Sequence, residues 1–220
     1  MKGTYSLYVF DLDGTLLDSS PGIINAVCYT LRLFKKTIPD NEILTSFIGP
    51  PLKKSFSLIP DVEDDKIDDM VRAFRDEYRK KEIFNAKLYD GIMPLCQRIS
   101  DDGIKMAIAT NKPEEFAQKL VKYFQLDKFI PVVCGADAQG SLKKTDLIKS
   151  AIFLSKENNI ESVVMVGDTI SDAEAAEQCG VDFIGVDYGF GNLKEQFIKN
   201  MVKLVEKPED IYCLLDSYKS

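Results

Sequence analysis

The stretch Tyr5-Ser6-Leu7-Tyr8-Val9-Phe10, followed by Asp11-Leu12-Asp13-Gly14-Thr15, decides how the rest of the chain is read. A short apolar run of β-formers that gives way at once to an acidic, glycine-bearing segment predicts a buried strand ending in a loop. Open α/β sheets place their ligands at the carboxyl ends of such strands. Past the strand end the backbone no longer has to alternate faces, so Asp11 and Asp13 can point into one crevice, and Gly14 permits a sharp turn. A D-x-D-G segment is also a common loop, so this fragment alone leaves a plain turn open.

Working outward, runs of the same kind recur at Lys105–Ala109, Pro131–Cys134, Ser162–Val166 and Asp182–Val186. Helical patterns lie between them at 91–100, 113–124, 144–156 and 171–179, the last stopping at Gly180. Pro113 suits a first helical turn, and Glu114 and Glu115 suit the positive end of the helix dipole. Strands alternating with helices predict an α/β fold, a Rossmann-like open parallel sheet. The alternation breaks after the first strand. Ile23, Ile24, Val27, Leu31 and Phe34 recur at helical spacing, short helices are expected at 41–48 and 52–58, and Ile67, Met70, Val71, Phe74 and Tyr78 form a further stripe. The expected organisation is an α/β core at 1–16 and 86–220 with an inserted all-helical cap domain at 17–85.

Composition narrows the chemistry. The 220 residues are 45% hydrophobic and 29% charged, ordinary globular values, with a formal net charge of −7 that disfavours non-specific binding to nucleic acid or an anionic membrane. No run of about 18 apolar residues predicts a membrane span, and the first residues lead directly into a strand without a secretory pattern. Cys28, Cys96, Cys134, Cys179 and Cys213 are odd in number and widely spaced, which reads as free thiols in a reducing, cytoplasmic setting. The chain has no histidine. That removes Ser-His-Asp and Cys-His hydrolases, histidine-phosphorylating phosphatases and nearly all zinc hydrolases. No Cys has an Arg six residues on, so the cysteine-nucleophile phosphatase loop is missing as well. A hydrolase built from this sequence must work with carboxylates, lysine and an oxygen-bound metal.

Three further segments bear on that chemistry. Gly167-Asp168-Thr169-Ile170-Ser171-Asp172 follows a second apolar strand, which places Asp168 at a strand end and Asp172 one helical turn later. Four carboxylates gathered from two strand ends repel one another unless a cation intervenes, and Mg²⁺ commonly binds through carboxylates and phosphate oxygens. Either acidic cluster alone could be a helix cap. Thr110-Asn111-Lys112-Pro113, between strand and helix, offers a hydroxyl, an amide and free helix N–H groups as a cradle for phosphate, with capping by Thr110 or Asn111 as the plain alternative. Ser141-Leu142-Lys143-Lys144 enters another helix, and one of its lysines could neutralise charge at the site.

The order D-L-D-G-T, T-N, Lys, G-D-x-x-x-D across residues 5–190 resembles the haloacid dehalogenase superfamily. The helical insertion directly after the first motif resembles its subfamily with an α-helical cap. Phe47-Ile48-Gly49-Pro50-Pro51-Leu52 and Val186-Asp187-Tyr188-Gly189-Phe190-Gly191 are similar to the phosphoglycolate phosphatase-like and 5′-nucleotidase-like branch. The resemblance implies that Asp11 is a nucleophile forming an aspartyl-phosphate. It implies that Asp13 protonates the leaving oxygen and then activates water, with its backbone carbonyl helping to hold Mg²⁺. Thr110 and the Asn111 N–H would bind the transferring phosphoryl group and Lys144 would neutralise charge, with Lys143 a rival because a Lys-Pro pair usual in relatives is missing. Asp168 would ligate the metal, and Asp172 would ligate it or orient a bound water.

The expected activity is therefore Mg²⁺-dependent hydrolysis of a small phosphorylated metabolite, a phosphoglycolate-type ester or a nucleoside 5′-monophosphate. Asp13 argues against a dehalogenase, which has no leaving oxygen to protonate. A β-phosphoglucomutase-like mutase, a pyrophosphatase and a catalytically idle binding protein of the same fold are the alternatives. Substrate choice is expected in the cap, with Lys53 favoured over Lys54, Arg75 and Arg79 because it follows the Gly-Pro-Pro turn. A monomer or weak homodimer is expected.

Overall fold

The computed structural model describes residues 5–137 and 140–211. The chain divides into two compact units, Met1–Leu17 with Leu88–Ser220, and Asp18–Lys87. In the first, β1 (Leu7–Phe10), β4 (Lys105–Pro113), β5 (Val132–Ala136), β6 (Val163–Gly167), β7 (Asp182–Val186) and β8 (Met201–Val205) form one sheet in the order β5-β4-β1-β6-β7-β8. Every pairing is parallel. β1 is bonded on both sides, and its four residues are entirely buried. A strand covered on both faces has no solvent side, which is why Leu-Tyr-Val-Phe reads as an unbroken apolar run.

Helices α5 (Ile92–Asp101), α6 (Glu114–Tyr123), α7 (Lys144–Leu154) and α8 (Ile170–Cys179) connect these strands. Leu7 and Val9 of β1, Ala107 and Ala109 of β4, and Val163 and Met165 of β6 share one face, where they pack with Leu147, Ile148 and Ala151 of α7 and Ala173 and Ala176 of α8. Each of the larger side chains there, Leu, Val, Ile or Met, contributes roughly 1.5–3 kcal/mol, and each alanine methyl less. The alternate residues Tyr8, Phe10, Met106, Ile108, Val164 and Val166 are buried as well. Because these strands run parallel, the loops after β1, β4 and β6 leave the same carboxyl edge, and the strand order reverses beside β1, where a crevice opens.

Two features depart from the expected pattern. β4 runs on past Ala109 to Pro113, and α6 begins at Glu114 with Pro113 as its N-cap. A residue before proline is pushed to extended backbone, which keeps Lys112 in the strand. The edge strand β8 has no counterpart in the sequence reading. Its exposed Val202 and half-buried Lys203 break up the apolar run by which the other strands were found.

The second unit is helical: α1 (Ser20–Leu33), α2 (Asn41–Thr45), α3 (Leu52–Ser57) and α4 (Ile67–Glu77), the last passing into a widened turn at Tyr78–Glu82. Ile23, Val27 and Leu31 of α1 and Met70, Val71 and Phe74 of α4 are buried, as their helical spacing requires. Phe47 meets Phe56 edge-on at 5.0 Å, and Asp40 caps α2 by accepting from the Ile43 N–H at 3.0 Å. The short strands β2 (Leu17–Asp18) and β3 (Lys87–Leu88), which pair with each other, carry the chain between the two units. Cys28, Cys96, Cys134 and Cys179 are free thiols; Cys213 lies outside the described residues. No helix among the described residues is long and apolar enough to cross a membrane.

Candidate active site

The loop after β1 holds Asp11 and Asp13. The Asp11 N–H donates to the Val166 carbonyl at 2.9 Å, which extends the β1–β6 ladder by one residue and fixes where the first carboxylate leaves the sheet. Gly14 follows with φ of 83° and donates its N–H to the Leu17 carbonyl at 2.8 Å. A side chain at Gly14 would also run into the Asp168 carboxylate, so the position demands glycine on two counts.

Asp168, at the end of β6, is completely buried. Its Oδ2 accepts the backbone N–H groups of Phe190 at 2.8 Å and Gly191 at 3.2 Å, and its Oδ1 accepts from the Thr15 hydroxyl at 3.4 Å. The loop makes this approach only because Gly189 and Gly191 lack side chains; a Cβ on either would overlap Asp168. The Tyr188 hydroxyl donates to the Thr15 carbonyl at 3.0 Å and its ring lies 4.8 Å from that of Tyr89. The Tyr188 hydroxyl thereby ties the loop after β7 to the loop after β1. Burial raises the Tyr188 pKa, which keeps the phenol protonated as a donor.

Asp172 sits in the first turn of α8. Its Oδ2 accepts from the Thr169 hydroxyl at 2.7 Å and the Thr169 N–H at 3.0 Å, a capping box that leaves Oδ1 directed elsewhere. Lys144 takes that oxygen. It is the first residue of α7, and its ammonium lies 2.7 Å from Asp172 Oδ1 and 2.6 Å from Asp11 Oδ1. The neighbouring Lys143 is exposed at the N-cap, so of the two rivals only Lys144 enters the carboxylate cluster.

Asp11, Asp168 and Asp172 each offer an oxygen within 4.8 Å of one another. Burial first, and then the negative neighbours, push Asp11 up to about 6 against the pull of Lys144. Burial, with the charges of Asp172 and Asp11, pushes Asp168 up to about 7 although two N–H donors oppose it. Burial pulls the Lys144 ammonium down, but Asp11 and Asp172 outweigh it and its pKa ends above the usual value. Three buried carboxylates with one lysine among them hold an excess of negative charge in a dry site. An all-oxygen donor set with that excess fits a hard divalent cation.

Asp13 does not join this group with its side chain. Its two oxygens lie 3.0 and 2.8 Å from the ammonium of Lys112, which is buried on β4. The reading of the sequence assigned Lys112 no role. The available signal was the strand period: Lys112 and Thr110, two residues apart in extended backbone, point to one face. Thr110 is buried, and its hydroxyl accepts from the Lys112 N–H at 3.2 Å. Neither Thr110 nor Asn111 caps a helix: α6 starts after Pro113, and both residues stand in the extended end of β4. Lys53 lies in the helical unit, exposed on α3, where it pairs with Asp68 at 2.7 Å. The donors from Thr15, Phe190 and Gly191 were also missed. Two of them are backbone groups, marked in the sequence only by the glycines Gly189 and Gly191 that allow the approach.

Comparison with known proteins agrees with this geometry. The family model described as haloacid dehalogenase-like hydrolase matches residues 8–186. The tyrosine-protein kinase PtkA of Mycobacterium tuberculosis is 31% identical over 84% of this chain, and the match spans 63% of PtkA. A phosphoglycolate phosphatase of Aquifex aeolicus is 30% identical over 96% of both chains. Among solved structures, a predicted phosphatase from Clostridium acetobutylicum superposes with a TM-score of 0.88 at 31% identity, covering 97% of this chain and 99% of that one.

Proposed function

The chain belongs to the haloacid dehalogenase-like hydrolase family, and on that footing we propose that it is a Mg²⁺-dependent phosphatase of small phosphorylated metabolites. The observation that carries this reading is the placement of Asp11. It is a buried carboxylate bonded to Lys144 on one oxygen and set within reach of Asp168 and Asp172. A carboxylate approaching a phosphate dianion is repelled unless positive charge lies beside both. Mg²⁺ held by Asp11, Asp168, Asp172 and the Asp13 backbone carbonyl would supply that neutralisation together with Lys144.

In the proposed reaction an oxygen of Asp11 attacks phosphorus. The bond from phosphorus to the leaving oxygen breaks, and Asp13 donates a proton to that oxygen. An aspartyl-phosphate results. Water then attacks the same phosphorus, Asp13 takes a proton from it, and the Asp11–phosphorus bond breaks to release inorganic phosphate and the free carboxylate. Thr110, through its hydroxyl, and Asn111, through its N–H, bind the oxygens of the transferring group. Asp172 also holds Lys144 in place through its Oδ1.

The substrate we favour is a phosphoglycolate-type ester or a nucleoside 5′-monophosphate. The Aquifex aeolicus relative, matched over nearly its whole length, supports the first. Lys53 is the proposed contact to the substrate within the helical unit. The acidic chain is not built to take nucleic acid or a membrane as its partner, and its free thiols suit the cytoplasm. The test is hydrolysis of a panel of phosphomonoesters and pyrophosphate with Mg²⁺, reported as kcat/KM and compared with Asp11→Asn. Turnover no greater than that of Asp11→Asn would end the enzyme reading. Isomerisation of a sugar phosphate without phosphate release would replace it with a mutase.

A further inference from the structure

We propose that Lys112 is a positioning residue for Asp13: it holds the carboxylate that hands protons to the leaving group and takes them from water. The inference rests on the acid/base reading of Asp13 given above and adds a second lysine to the site.

The two buried lysines among the described residues are divided between the two carboxylates of the first motif. Lys144 bonds Asp11 and Asp172, whereas Lys112 bonds Asp13. The Lys112 and Asp13 side chains are only 4% and 9% exposed, so both charges have left most of their water. Burying an ion pair costs several kcal/mol per ion before the mutual attraction is counted, and apolar replacements of the same volume are often as stable. Stability alone is therefore a weak reason for a lysine here.

Geometry supplies a better one. Lys112 reaches both oxygens of Asp13, at 3.0 and 2.8 Å, which fixes the plane of the carboxylate as well as its distance. The anchor comes from a different strand than the one Asp13 follows. Lys112 lies at the end of β4, four residues past Ile108, the last to pair with β1, where the register with β5 shifts between Thr110 and Pro113, and its N–H is tied to Thr110. Asp13 stands in a loop two residues beyond Asp11, past the last ladder bond of β1, where its backbone bridges to Leu17 and its side chain meets Lys112. A proton donor acts within hydrogen-bond reach of the oxygen it serves, and a displacement of about 1 Å in such a group can cost about 10²-fold in rate. Bond making at phosphorus stays with Asp11; Lys112 acts only through Asp13.

This role is separable from a structural one by leaving-group dependence. An alkyl phosphate needs its leaving oxygen protonated, while 4-nitrophenyl phosphate, with an acidic phenol, does not. Asp13→Asn should lower kcat/KM for the alkyl ester by about 10²-fold or more and slow phosphoenzyme formation from the aryl ester far less. Lys112→Met should show the same selectivity, about 10-fold on the alkyl ester and under about 3-fold on the aryl burst, with phosphoenzyme accumulating because water attack also uses Asp13. The double variant Lys112→Met/Asp13→Asn should match Asp13→Asn within about 2-fold, since Lys112 then has nothing to position. That variant also leaves no unpaired charge at Asp13, so it reports even where Lys112→Met alone folds poorly. Equal loss on both esters, or a further loss of about 10-fold in the double variant, overturns the role of Lys112. Absence of selectivity in Asp13→Asn itself would overturn the acid/base reading first, and the two failures are told apart by that single variant.

Discussion

Lys144 Nζ lies 2.6 Å from Asp11 Oδ1, joining side chains 133 residues apart in the chain. The pair is buried, and the same ammonium holds Asp172. One cation thus serves both the proposed nucleophile and a proposed metal ligand.

Replacing Lys144 by Met should abolish turnover, a loss of about 10³-fold or more, because among the described residues no other side-chain ammonium bonds Asp11. It should also destabilise the metal-free protein by about 3–5 kcal/mol in urea denaturation, since two buried carboxylates lose their partner. Lys143→Met, at an exposed N-cap, should leave both quantities within about twofold and about 0.5 kcal/mol. Reversal of the two results would return the role to Lys143.

The raised pKa values of Asp11 and Asp168 set a pH dependence. Both lie above the ordinary carboxylate value of 3.8, at about 6 and about 7, so the folded protein binds more protons than the unfolded chain between those limits. Stability contributed by these groups therefore falls as pH rises from about 4 to about 7 and stays low above that. Metal-free Asp168→Asn should melt higher than the wild type at pH 8, with the difference closing by pH 5, where Asp168 is protonated. Mg²⁺ displaces those protons, so its affinity in calorimetry should rise over the same interval. A pH-independent difference in melting temperature would contradict this electrostatic picture.

The glycine loop around Asp168 can be tested through the metal. Gly191→Ala places a methyl group against the Asp168 backbone and should cost about 1–3 kcal/mol. It should also move the Phe190 and Gly191 N–H groups off Asp168 Oδ2 and weaken Mn²⁺ binding, followed by electron paramagnetic resonance, by about 10-fold or more. Unchanged Mn²⁺ affinity would show that the loop does not orient the carboxylate.

Tyr188→Phe keeps the ring beside Tyr89 and removes only the hydroxyl that donates to the Thr15 carbonyl. A stability loss of about 1 kcal/mol in denaturant is expected, the cost of leaving a buried carbonyl without that donor. No change in the midpoint would mean that the bond contributes nothing net.

Much of the site was legible because its chemistry lies in side chains at strand ends. Asp11, Asp168 and Asp172 were found from acidic segments after apolar runs, and the structure brings these three together. Lys112 escaped because a lysine is usually solvated, and the strand period that puts it on one face with Thr110 does not say that the face is buried. The strand β8 escaped because an edge strand keeps polar and exposed positions. The end of β4 was set too early, at Ala109, because the polar run Thr110-Asn111-Lys112 before a proline reads as a loop as well as an extended segment.

The sequence by itself determined the α/β order of the core, the helical character of the insertion and the identity of the charged groups. Those follow from periodicity and residue type, which act over a few neighbours in the chain. Only the tertiary structure decided which lysine meets which carboxylate: Lys144 with Asp11, and Lys112 with Asp13. It also decided that two backbone N–H groups of a glycine loop would hold Asp168. Such pairings depend on distances across 22 to 133 residues of chain, set by sheet register and by how closely a backbone without side chains can approach.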